Sequence, residues 1–168
     1  MNNTSSKKIA AGGMIAALYV VLTIISSLFG LSSGVIQLRL SEALCILPCF
    51  TSAAVPGLFI GCIISNIITG SAVIDVIFGS LATLIGAVIT YLIRKRRFLS
   101  SLPPIISNTI ILPFALKYAY GLNDAVLYIA ITIFIGECLS AGLLGQILYS
   151  FLNKRPSLLK KFSDISDS

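Results

Sequence analysis

Between Ile9 and Leu92 the chain carries only three charged side chains, Arg39, Glu42 and Asp75. A stretch that long and that poor in charge does not wrap a soluble core, because about a quarter of an ordinary soluble domain is charged. In hydrocarbon the backbone must satisfy its own hydrogen bonds, which leaves helices or a closed barrel. The apolar runs are long and lack strict alternation, so they select helices. The rest of the chain agrees, with 57% hydrophobic and 11% charged residues and a mean hydropathy of +1.00. We therefore read an all-α integral membrane protein. At roughly 20 residues per span, 168 residues hold about six transmembrane helices and little else. A single six-helix membrane domain is expected over 1–155, with 156–168 as a cytoplasmic polar tail.

Basic clusters set the expected topology. Lys7-Lys8, Arg94-Lys95-Arg96-Arg97 and Lys154-Arg155 with Lys160-Lys161 flank the apolar runs. Placed on the cytoplasmic side, they demand an even number of spans between neighbours, and both termini fall in the cytoplasm. Turn signals predict spans over about 9–29, 41–51, 53–69 and 73–93, a fifth from Pro103-Pro104 to Tyr120-Gly121, and a sixth from the Asn123-Asp124 cap to Leu152. The apolar run after Lys8 is longer than a signal-peptide core and more apolar segments follow, so it reads as a retained first span. The second span is too short to cross about 30 Å of hydrocarbon unaided and must be tilted, half-buried or shielded by neighbours, irregular backbone being tolerated where it is packed in protein or lines a cavity. Ahead of it, Ser33–Leu40 reads either as an extended lid or as an amphipathic loop.

Some chemistries are absent. The chain has no histidine, which removes histidine metal sites and serine–histidine triads, and it has no Walker A sequence. Its four cysteines lack metal-ligand spacing and read as small hydrophobes. The net charge of +6 is better explained by membrane orientation than by nucleic acid. No catalytic role, cofactor or metal is expected.

Polar groups at membrane depth are where function concentrates. Gln37, Arg39, Glu42, Asn66, Asp75 and Tyr118 are expected toward the outer side of the bundle, with Asn108 and Glu137 deeper. Such a set suits a small polar ligand with a planar ring, held by amides and carboxylates and stacked on an aromatic face. Each residue also has a structural reading. Glu137 can bond a neighbouring helix or be a neutral acid, Arg39 and Glu42 can pair with each other, and Asp75 can cap the fourth span. In the first span, Gly12, Gly13, Ala16 and Ala17 form small-xxx-small pairs that serve internal packing or partner docking equally well.

Four stretches resemble the QueT family in order: Gln37-Leu38-Arg39-Leu40-Ser41-Glu42-Ala43-Leu44 with Leu47-Pro48, Ala54-Val55-Pro56-Gly57-Leu58-Phe59-Ile60-Gly61-Cys62, Asp75 to Leu84, and Leu102-Pro103-Pro104-Ile105-Ile106-Ser107-Asn108. The resemblance covers about residues 8–155. It implies a substrate-binding membrane subunit (S component) of an energy-coupling factor (ECF) transporter in a prokaryotic cell membrane. Such a subunit is expected to take up a queuosine precursor, either a 7-deazaguanine compound or queuine. It implies as partners a membrane coupling subunit and two ATPases, which hydrolyse the ATP. It also suggests Phe59, Tyr118 or Tyr120 as ring-stacking residues, and the small residues of the first span as the docking face. Other readings are an S component for another vitamin or nucleobase, and a stand-alone small membrane carrier.

Overall fold

The computed structural model describes residues 3–31, 38–96, 99–120 and 126–155. Those residues form α1 (Asn3–Leu28), a 3-10 segment (Leu40–Cys49), α2 (Ala54–Ile68), α3 (Val73–Leu92), a short 3-10 turn (Leu99–Ser101) and α4 (Leu102–Tyr120). A last rod follows, running as α5 (Val126–Glu137), a π-helical segment (Cys138–Leu144) and α6 (Gly145–Asn153). The all-α expectation holds. By length and composition four helices can cross a membrane: Ser6–Leu28, Val73–Leu92, Leu99–Tyr118 and Val126–Asn153. The 3-10 segment and α2 are apolar but shorter. Gln37, the Asn123-Asp124 cap, the tail over 156–168 and most of the expected lid lie outside the described residues.

Two glycines stop helices where the sequence signals placed breaks. Gly30 and Gly70 take φ of +68° and +72°, the left-handed conformation that costs glycine little. After each, an amide reaches back to a carbonyl five residues earlier, Leu31 to Ser26 and Ser71 to Asn66, both at 2.9 Å. These bonds close otherwise orphaned helix-end carbonyls.

The distribution of side chains is inverted relative to a soluble fold. Leu28, Val73 and Leu127 are 80%, 74% and 76% exposed, while Glu42, Asn66, Asn108 and Glu137 are buried. An apolar exterior around a polar interior is the arrangement that hydrocarbon selects.

Close helix approaches hold the bundle together. A Cβ on Gly57 would lie 2.7 Å from the Gly12 carbonyl oxygen, and one on Gly61 would meet Ala16 and the Tyr19 Cβ at about 3 Å. α1 and α2 thus pack backbone to backbone. A Cβ on Gly86 of α3 would sit 2.8 Å from the Cα of Pro104 in α4, giving a second close pair. With little hydrophobic drive between helices in lipid, such dispersion contacts carry much of the association.

The 3-10 segment is wedged among α1, α2, α3, the π segment and α6. Ser41, Glu42, Leu44, Cys45, Ile46, Pro48 and Cys49 are all buried. At a rise of about 2.0 Å per residue its 10 residues reach about two-thirds of the hydrocarbon thickness. The expectation of a short, protein-packed second segment is met, although as 3-10 rather than α-helix.

Candidate functional site

The start of the 3-10 segment is tied to α1 by hydroxyl groups. The Ser26 Oγ accepts the Leu40 amide at 2.9 Å, and the Thr23 hydroxyl donates to the Ser41 Oγ at 2.8 Å. These bonds place Arg39 and Glu42 at the top of the wedge, with Arg39 still in extended backbone.

Glu42 is fully engaged. The Tyr19 hydroxyl donates to Oε1 at 2.5 Å, while Oε2 accepts from the Cys45 thiol at 3.1 Å and from the Asn108 amide at 3.4 Å. The same Asn108 Nδ2 donates to Glu137 Oε1 at 2.7 Å. One amide on α4 therefore links carboxyls from two other elements. On the other side of Glu42, Arg39 reaches Asp75 at 3.7 Å and Asn66 Oδ1 at 3.5 Å. The result is one polar chain, Tyr19–Glu42–Asn108–Glu137, beside an Arg39–Asp75–Asn66 group.

A small cavity opens between them. Arg39, Glu42, Thr83, Asn108 and Glu137 supply its polar wall, with Gly79, Leu112 and Ile133 beside them. Counted out to its open mouth it holds ≈ 330 Å³ of empty volume. Its enclosed part has room for about one water. Glu137 Oε2, Asn108 Oδ1, Asp75 Oδ1 and the Ser140 hydroxyl are buried without a hydrogen-bond partner. Buried polar atoms are nearly always paired, so the unmet atoms of Glu137 and Asn108, which both line the cavity, mark it as built for something more than packing. The π segment begins directly after Glu137, and single-turn π distortions concentrate at functional sites.

Arg39, Glu42, Asn66, Asp75, Asn108 and Glu137 are thus brought together. Glu137 bonds a neighbouring helix through Asn108, one of the structural readings considered above. Arg39 pairs with Asp75 instead of Glu42, and Asp75 stands in the first turn of α3. Tyr118 does not join them: it is 75% exposed and lines an outward apolar groove with Phe78, Ile110 and Phe114. Phe59 is half-buried on α2 and is not among the residues lining the cavity. The aromatic residue in the cluster is Tyr19, which the sequence reading missed. Its signal was a helical stripe of hydroxyls, Tyr19, Thr23 and Ser26, on the otherwise apolar first span.

The small residues of α1 divide into two faces. Gly12 and Ala16 pack inward against Ala53, Gly57 and Gly61 of the following elements. Gly13 and Ala17 are exposed, and a Cβ on Gly13 would meet nothing within 4 Å.

Several helices that are apolar outside and polar within define a helical membrane protein. Residues 9–154 match the QueT transporter family, and the chain belongs to it. It is 39% identical over 85 residues to the "Queuosine precursor transporter QueT" of Lactococcus lactis subsp. cremoris (strain MG1363), a match covering 51% of this chain and 50% of that protein. The chain thus aligns with about half the length of this curated relative. No solved structure gives a significant match.

Proposed function

We propose that the chain is the substrate-binding membrane subunit of an ECF-type ABC importer that takes up a queuosine precursor, a 7-deazaguanine compound or queuine. The observation that carries this reading is the set of unpartnered buried acceptors, Glu137 Oε2 and Asn108 Oδ1, on the wall of the polar cavity. Deazaguanine compounds present N–H donors on the ring edge and, in some, on the 7-position arm, the kind of group those atoms lack. Membership of the QueT transporter family and the name of the lactococcal relative support the same substrate class. In this reading Arg39, Glu42, Asn66, Asp75, Asn108 and Glu137 form the binding site, with Gln37 in the adjoining segment. A bicyclic base exceeds the enclosed space, so these side chains part as it enters.

The chain crosses a prokaryotic cell membrane six times with both termini in the cytoplasm, and exposes its pocket alternately to the two sides. ATP hydrolysis belongs to two partner ATPases, joined through a membrane coupling subunit. Gly13 and Ala17 on the free face of α1 receive that subunit, since a face without side-chain bulk admits a close helix.

Binding of 7-aminomethyl-7-deazaguanine, 7-cyano-7-deazaguanine, queuine and guanine to the purified chain tests the proposal, with Glu137→Gln run in parallel. Saturable binding of a deazaguanine, weakened by about tenfold or more in the variant, is expected. Failure of the folded protein to bind any of them would overturn the assignment in favour of another vitamin or nucleobase.

A further inference from the structure

Among the described residues the site holds more carboxyls than guanidinium groups. One guanidinium, Arg39, serves three carboxyls, and it lies against Asp75. Glu42 and Glu137 are left joined only through the amide of Asn108, which lends hydrogen bonds but no charge. Glu42 has donors on both oxygens, from Tyr19, Cys45 and Asn108. Glu137 has one oxygen without a donor, is 6% exposed and faces the cavity. Asn108, 2% exposed, lines the same cavity and also has an acceptor without a donor. Buried negative charge without a counter-charge is costly, and among the described residues no Lys or further Arg lines this cavity.

We propose that the ligand itself supplies the missing cation: the site selects a base bearing a primary or secondary ammonium on a short arm over a neutral base with the same ring. Glu137 Oε2 meets the ammonium and Asn108 Oδ1 accepts a second N–H. This rests on the reading of the site as a deazaguanine pocket, and it divides that class. Aminomethyl compounds and queuine, which share an amine on the arm, bind well, whereas the nitrile and the unsubstituted ring bind weakly. Glu137 is then a residue that determines specificity by charge.

Calorimetric titration of the full chain in detergent with four ligands tests this. They are 7-aminomethyl-7-deazaguanine, its neutral isostere 7-hydroxymethyl-7-deazaguanine, 7-cyano-7-deazaguanine and 7-deazaguanine. The amine is expected to bind about tenfold or more tightly than each neutral ligand, as charge-assisted hydrogen bonds outweigh neutral ones. Glu137→Gln is expected to shrink that ratio to roughly threefold or less. If the hydroxymethyl isostere binds as tightly as the amine, charge selection is overturned and the deazaguanine pocket stands. If none of the four binds to protein with an intact thermal transition, the pocket assignment falls, and charge selection with it. The comparison within the unmutated protein decides the question even if the variant does not fold.

Discussion

Glu42 is the residue on which the polar interior converges, because its oxygens take donors from α1, from its own 3-10 turn and from α4. Removing a donor there leaves a buried acceptor unmet. Tyr19→Phe should therefore lower stability by about 1–3 kcal/mol, visible as a lower thermal midpoint in detergent. A change within error would mean that Glu42 Oε1 finds another donor. Asn108 plays a different part, since its single Nδ2 serves both Glu42 and Glu137. Asn108→Leu keeps approximate volume but removes both bonds and sets two carboxyls side by side without a bridge. It should cost more stability than Tyr19→Phe and abolish ligand binding; thermal unfolding and equilibrium titration of the variant check the two effects. Arg39, Glu42 and Asp75 were legible as functional candidates because charge is expensive at membrane depth. Their partners were not, since a helix spacing says nothing about which acid lies across the bundle.

Among the elements, α1 has two faces of small residues, one packed against its neighbours and one open. Gly57 fits under the Gly12 carbonyl with no space for a side chain, so Gly57→Leu should separate α1 from α2 and reduce the yield of folded protein in size-exclusion chromatography. Gly13 has open space. Gly13→Leu should leave the thermal midpoint unchanged but block co-purification with the proposed coupling subunit, and retained co-purification would remove Gly13 from the proposed docking face. The sequence pattern was the same for both pairs, one residue apart, and only the position of α2 separates them. The π segment was not legible at all, as Cys138–Leu144 reads as ordinary apolar helix. A π distortion accommodates one extra residue in an α-helix. Deleting the outward-facing Leu143, 57% exposed, should restore α-helical winding and shift Glu137 relative to Asn108. Ligand affinity should fall at least about tenfold if the 2.7 Å bond is lost, as read by titration against a variant of unchanged helical circular dichroism.

For the whole molecule, an apolar exterior and a small polar cavity suit binding better than autonomous pumping. Reconstituted alone in vesicles, the chain should bind a deazaguanine without concentrating it. Accumulation should require the coupling subunit, the ATPases and ATP, and gradient-driven accumulation by the isolated chain would indicate a stand-alone carrier. Hydropathy alone determined that this protein is helical and built for a membrane, because unpaired backbone has no place in hydrocarbon. Gly30 and Gly70 likewise announced two helix ends through their tolerance of positive φ. Tertiary structure alone decided that Arg39 meets Asp75, that Tyr19 rather than Tyr118 enters the polar cluster, and that Asn108 bridges two acids. Those outcomes depend on the rotation and crossing of helices far apart in the chain. Backbone contacts such as Gly12 to Gly57 set that geometry, and hydrophobic patterning leaves it open, since lipid and core are almost equally apolar.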